Sequence, residues 1–271
     1  MSGYLAIVAA RFRSLLQYRA AALSGLFTQT FFGLVRIMIL RAFYAASATA
    51  AAPMALPHVT GYVWLGQATL LLIPWRGDED VTEQIRTGNV VYELTRPLDL
   101  YGLWFARALA WRTAPVMLRM LPMFVLAMLV IPIFVPEWGL APPPSLAAFV
   151  LWLPCFAGAV LISAALTTLM SVTLMWTVSG DGVPILIASC ATIFGGLVIP
   201  LPLFPDWAQP MLYALPFAGM LDLPSRLFTG DIAVANAPWI LAHQLAWTIA
   251  LVALGRALLR RGVRRLVVQG G

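Results

Sequence analysis

Apolar runs of helix-spanning length alternate along the chain with short polar or proline-rich breaks. Crossing a bilayer takes roughly 20 mostly apolar residues per helix. On that measure residues 20–43, 58–75, 114–135, 146–178, 183–199 and 238–258 read as six transmembrane helices. The runs are continuous and rich in Ala, Leu and Met. That pattern predicts helices, not the short alternating strands of an outer-membrane barrel. The expected fold is therefore an all-α polytopic membrane protein, a single transmembrane domain over residues 1–271.

The breaks have their own patterns. Residues 3–19, "GYLAIVAARFRSLLQYR", are amphipathic, with Arg11, Arg13 and Arg19 punctuating an apolar stripe. The charges follow the apolar stretch, which is the reverse of a signal peptide. Residues 1–19 thus read as a helix lying in the membrane interface. A further helix is predicted over residues 101–112, ahead of the third span. "PEWGLAPPPS" and "SGDG" are breaks, since proline removes a donor and stops helices. Residues 200–235 are apolar but interrupted by six prolines, Pro200 to Pro224. Two short helices dipping into the outer leaflet or capping the bundle are expected there, and their backbone needs protein or water cover.

Composition agrees with lipid as the solvent. The chain is 61% hydrophobic and 10% charged, with a mean hydropathy of +0.88. It contains no Lys, so every fixed positive side chain is Arg. A P-loop needs a Lys to reach the phosphates, so any ATP is bound by another chain. Schiff-base chemistry is excluded on the same ground. Cys155 and Cys190 fall in apolar runs and read as small core residues. His58 and His243 stand far apart, and no Cys/His/Asp/Glu spacing forms a metal site. The net charge of +6 follows membrane topology and gives no reason to expect nucleic acid. With six spans, Arg11, Arg13, Arg19, Arg76, Arg86, Arg96, Arg107, Arg112, Arg256, Arg260, Arg261, Arg264 and Arg265 share one side. The positive-inside rule makes that side cytoplasmic and puts both termini there. Trp75, Trp104 and Trp111 would mark the inner interface, and Trp138, Trp207 and Trp239 the outer one.

Against this background residues 77–102, "GDEDVTEQIRTGNVVYELTRPLDLYG", stand out, because they hold more than half of the acidic residues. Acids opening "DEDVTEQIRTG" suit a helix N-terminus, Gly88 is placed to stop that helix, and Pro97 forbids its continuation. A solvated loop is the plain reading. Ile85, Val90, Val91, Tyr92 and Leu94 are too apolar for one, and favour a surface that docks a partner.

"IRTGNVVYELTRPLDLYG" resembles the cytoplasmic segment of ABC-2 type transporter permeases, with Gly88, Leu94, Arg96 and Pro97 at the matching positions. "GGLVIPLPLFPDWAQPMLYALPFAGMLDLPSRLFTG" resembles that family's segment after the fifth span. The ending "RRGVRRLVVQGG" is similar to the branch that includes viologen-type drug exporters, which pairs two different permeases. The resemblance implies the transmembrane subunit of an ATP-driven exporter in an inner membrane. Two ATPase subunits would dock beneath it, holding ATP and Mg, and a second, related permease would face it. It also implies a coupling region over 76–112. The interface residues would be Asp78, Glu79, Asp80, Glu83, Arg86, Gly88, Glu93, Leu94, Arg96 and Pro97.

Within the spans, Arg36 and Arg41 must face protein or water or snorkel, because charge there costs at least a few kcal/mol. Gln29, Gln67, Gln244 and His243 read as interhelical hydrogen bonders or as part of a substrate path. Gln29, Arg36, Gln67, Met170 and Met175 form the candidate path, with packing or lipid contact as the alternative for the methionines. An Arg near a path disfavours cationic drugs and favours anionic or lipid-like substrates. The rival function is an ATP-independent channel or secondary transporter. An intramembrane enzyme lacks any Ser/Lys, paired-Asp or HExxH constellation in the spans.

Overall fold

The computed structural model describes residues 2–15, 19–46, 52–95, 97–177 and 182–264, and the elements among them are helical. Four helices are long and apolar enough to cross a membrane. They build a bundle with an arginine-rich end and a proline-rich end. Helix α1 (Ser2–Leu15) lies at the arginine-rich end against the start of α6, and α2 (Arg19–Ala46) is the first long helix.

The second expected span is a helix with a tail. α3 (Leu56–Ala68) stops after 13 residues. The Thr69 hydroxyl donates to the Leu65 carbonyl at 2.7 Å, and a 3₁₀ turn, Leu70–Leu72, follows. Carbonyls freed by such a break must be satisfied from within the protein. Arg112, 6% exposed, does this: its guanidinium donates to the Arg76 carbonyl at 2.8 Å, to Ile73 at 3.3 Å and to Leu71 at 3.4 Å. Its Nε donates to Thr167 Oγ1 at 2.8 Å, and the Ser163 hydroxyl takes the Leu72 carbonyl. Arg112 is therefore a buried cap for broken backbone, not the interfacial arginine that its position in the sequence predicts.

After α3, two short helices, α4 (Glu79–Arg86) and α5 (Val90–Leu94), lie side by side. The separate helix expected at 101–112 and the third span are one rod. α6 (Leu100–Val125) runs through Pro115 and Pro122 into a π turn, Leu126–Val130, and α7 (Ile131–Phe134). Pro132 has no N–H to offer one turn back, and the Ala127 carbonyl instead accepts from Leu140 N–H at 2.8 Å. α8 (Leu146–Thr173) starts on Ser145, whose hydroxyl accepts from Ala148 N–H at 3.1 Å. α9 (Gly182–Phe194) is only 13 residues long and ends at Gly195–Gly196. Gly196 has φ +84°, a left-handed conformation that releases the chain sideways at little steric cost only for glycine.

The proline-rich segment carries two short helices, α10 (Gln209–Ala214) and α11 (Asp222–Thr229), and α12 (Ala237–Val263) closes the bundle along α8. Packing is in layers. Near the proline-rich end Trp64, Met123, Trp152, Phe156 and Phe228 join α3, α6, α8 and α11. At the arginine-rich end Val81, Val90, Tyr101, Trp104, Val172 and Leu259 form a separate core beneath α4 and α5.

Candidate functional site

The acidic stretch folds as a short platform fixed to the bundle by charge. Asp78 caps α4, its carboxylate accepting from Asp80 N–H at 3.1 Å. The same carboxylate, 6% exposed, receives Arg107 of α6 through Nε at 2.9 Å and a terminal nitrogen at 3.1 Å. This is the two-pronged geometry that makes Arg–carboxylate pairs strong. Arg107 also donates to Asp80 at 2.7 Å, and Arg11 of α1 reaches the same Asp80 oxygen. Hydrogen bonding from Arg11 and the charges of Arg11 and Arg107 hold the Asp80 carboxyl below the usual carboxylate range. One carboxylate pair thus ties three elements, α1, α4 and α6.

The predicted interface set divides. Asp78 faces inward. Glu93 is also buried, 4% exposed, and accepts from the Trp104 indole N–H at 2.8 Å. Trp104 is accordingly a buried anchor and not an interfacial marker. Asp80 is half-exposed and engaged by both arginines. Glu79 is exposed and pairs with Arg76 at 2.5 Å. Glu83, Arg86, Gly88 and Pro97 are exposed, and Tyr92 is 73% exposed beside them. Leu94 ends α5, and Arg96 lies outside the described residues. Val90, expected on the outer face, is fully buried in the core below. Facing outward, besides the Arg76–Glu79 pair, are Glu83, Arg86, a left-handed glycine (Gly88, φ +77°) and Tyr92. They stand on a base of internal ion pairs.

The candidate path residues do not come together. Met170 is fully buried beside Gly77. Met175 packs its sulfur on Gly262 of α12. Gln29 is 3% exposed, with neither amide atom partnered among the described residues, and Gln67 is buried where α2 passes α3 at Gly33. Arg36 borders open space. It donates to the Leu197 carbonyl at 2.6 Å and lines an apolar cavity of about 450 Å³ with Leu40, Phe43, Val198 and Leu203. Arg41 snorkels to Glu137.

A second polar centre was not legible in the sequence. Asp222, fully buried, accepts from Leu201 N–H at 3.1 Å, and the Tyr62 hydroxyl lies 2.9 Å from the same oxygen. Arg226 joins Asp222 at 3.4 Å to Asp231 at 2.6 Å and donates to the Tyr213 hydroxyl at 2.8 Å. Only the i, i+4 spacing of Asp222 and Arg226 hinted at this centre. It locks the proline-rich cap to α3. Arg119 of α6 was also missed; its guanidinium lies over Gly25 of α2, where a Cβ would collide with it. Among the described residues no group of His, Cys, Asp and Glu could hold a metal ion.

A family model described as ABC-2 family transporter protein matches residues 59–270. The chain belongs to this family. No curated protein and no solved structure matches it. As an ABC-2 family chain it is a multi-pass membrane protein, the permease subunit of an ABC transporter that works with an ATPase partner.

Proposed function

We propose that this permease belongs to an exporter, that α4 and α5 are where its ATPase docks, and that the docking face is cytoplasmic. The observation that carries this is the division of the acidic stretch. Asp78, Asp80 and Glu93 are spent on internal contacts with Arg107, Arg11 and Trp104, while Glu83, Arg86 and Tyr92 face outward. A solvated loop has no use for a buried ionic base. A lever needs one, because a push on α4 reaches α6 only if the joint is stiff. The arginine asymmetry supports a cytoplasmic position for this end, and for both termini, through the positive-inside rule.

The working complex in this reading has two ATPase subunits, which bind ATP and Mg, and a second permease related to this one. It resides in a bacterial inner membrane. The cargo is an amphipathic molecule, drug-like or lipid-like, for which the apolar cavity beside Arg36 is a suitable seat. The test is co-purification of the permease with its candidate ATPase. Glu83→Arg should reduce ATPase recovery by about a hundredfold, since like-charge contact at an interface costs several kcal/mol. Trp207→Ala, at the exposed opposite end, should leave recovery unchanged. Wild-type recovery with Glu83→Arg and Tyr92→Ala together would overturn the docking assignment.

A further inference from the structure

Where α1, α6 and α12 meet at the arginine-rich end there is a cleft of about 510 Å³. Tyr4, Asp99, Arg256 and Arg260 form its polar rim, and Leu5 and Leu109 are among its apolar walls. It continues into a groove of about 430 Å³ along α12, floored by Ile249, Val252 and Ala253, and sharing Arg256 and Arg260 with the cleft. From Ile249 to Arg256 the helix rises about 10 Å. The combined shape is a cationic mouth above an apolar trough that opens onto the exposed, lipid-facing side of α12, where Ile249 and Leu254 are outermost.

Three features of the mouth suit an anion. Arg260 makes no hydrogen bond or ion pair among the described residues, although it is one turn from Arg256. Arg256 lies 5.6 Å from the Tyr101 ring centroid and only loosely meets Asp99, at 3.7 Å. That carboxylate is committed elsewhere, accepting from Gly102 N–H at 2.9 Å as the cap of α6. Tyr101 is 2% exposed and lines the cleft, yet its hydroxyl has no hydrogen-bond partner among the described residues. The ring is wedged on Gly255, where an added Cβ would stand 2.9 Å from that hydroxyl. A buried hydroxyl without a partner costs free energy, and two arginines one turn apart repel. A phosphate satisfies all three donors, and an apolar tail on that phosphate fills the trough.

We propose that this cleft binds an anionic phospholipid. Arg256 and Arg260 would hold the phosphate, Tyr101 would donate to it, and an acyl chain would lie along Ile249, Val252 and Ala253. The lipid is a resident of the leaflet at this end of the bundle, on the opposite side of the molecule from the Arg36 cavity, and it is not cargo. By bridging α12 to α1 it would brace the interfacial helix that also holds Asp80. Basic pockets between transmembrane helices are the sites that such headgroups favour.

The full-length chain in nanodiscs tests this without any transport assay. Phosphatidylglycerol titrated into phosphatidylcholine should raise the Tm, and native mass spectrometry should retain a phosphatidylglycerol molecule per chain. Arg256→Gln with Arg260→Gln should weaken retention about tenfold or more. Ala253→Trp, which fills the trough from an exposed position, should do likewise with the arginines intact. Arg261→Gln, exposed on α12 but outside the cleft, should behave as wild type. Inorganic phosphate should neither raise the Tm nor displace the lipid. Equal Tm and retention for the two lipids would overturn the proposal. So would wild-type retention by Ala253→Trp, or displacement of the lipid by phosphate alone. Should the double arginine variant fail to fold, the Ala253→Trp result decides.

Discussion

Arg107 grips Asp78 with two nitrogens, at 2.9 and 3.1 Å, across the joint between a long bundle helix and the short helix α4. Both side chains are largely shielded, at 14% and 8% exposure. In that setting the pair fixes α4 to α6, and its loss is costly because the buried carboxylate keeps only the distant Arg11, at 3.9 Å. Arg107→Ala should destabilise the protein by about 3 kcal/mol, read as a lowered Tm in detergent. It should also sever stimulation of the ATPase while leaving membrane insertion intact. Unchanged stability and stimulation would mean the platform is held by its apolar core alone.

Arg112 is more demanding. It serves three carbonyls and one hydroxyl from a single planar group. Arg112→Lys keeps the charge, but an ammonium on a flexible stem cannot span four acceptors. Each buried acceptor left alone costs about 1–3 kcal/mol. Lys should therefore rescue little, and both Arg112→Lys and Arg112→Met should lower folded yield on size-exclusion chromatography. Full rescue by Lys would show that charge, and not reach, is what the site needs.

The α1–α4 contact should depend on acid in one direction. Asp80 is held below its ordinary value of 3.8, first by the hydrogen bond from Arg11. A depressed folded value contributes stability that is fully present above 3.8 and is lost as pH falls through the folded value. A spin-label distance between position 9 on α1 and position 83 on α4 should hold constant from neutral pH down to the ordinary carboxylate range. It should lengthen only below that range. In Asp80→Asn the distance should be longer at neutral pH and insensitive to acid. Lengthening that begins near neutrality in the wild type would place the titrating group elsewhere.

Two glycines make a matched pair. At Gly158 of α8 a Cβ would run into Gln244 of α12. That amide donates to the carbonyls of Cys155 and Gly219 at 2.8 Å each. Gly158→Ala should lower stability by about 1–3 kcal/mol, the range for overpacking. At Gly182 nothing lies within 4 Å, so Gly182→Ala should be neutral or slightly stabilising. Equal Tm values for the two variants would mean that α8 and α12 are not in close contact there.

The sequence was most informative where one physical rule acts over a long stretch. Apolar length revealed the helical membrane fold, and the density of acids between Gly77 and Asp99 revealed the platform. It was least informative where partners come from far along the chain. Glu93 reads as a surface acid until Trp104 is seen donating to it. Arg112 sits among residues that suit a membrane interface, and its acceptors lie 36 to 55 positions away. A helix over 101–112 and a span over 114–135 read as two elements, where one helix runs through Pro115 and Pro122, because neighbouring helices support a rod that proline alone would end. Asp222 and Arg226 are adjacent on α11, but nothing local announces that Tyr62 completes their environment.

Arg112 bears on the order in which the protein is made. Its three carbonyl acceptors, on Leu71, Ile73 and Arg76, precede it in the chain. They have left the ribosome before α6 is complete. The broken backbone after α3 and the arginine of α6 can therefore enter the lipid together as a hairpin, each satisfying hydrogen bonds of the other. Only the Thr167 hydroxyl arrives later, with α8. An arginine that would stall at the translocon as an isolated helix residue becomes, in this order of synthesis, a passenger whose solvation shell is already in place.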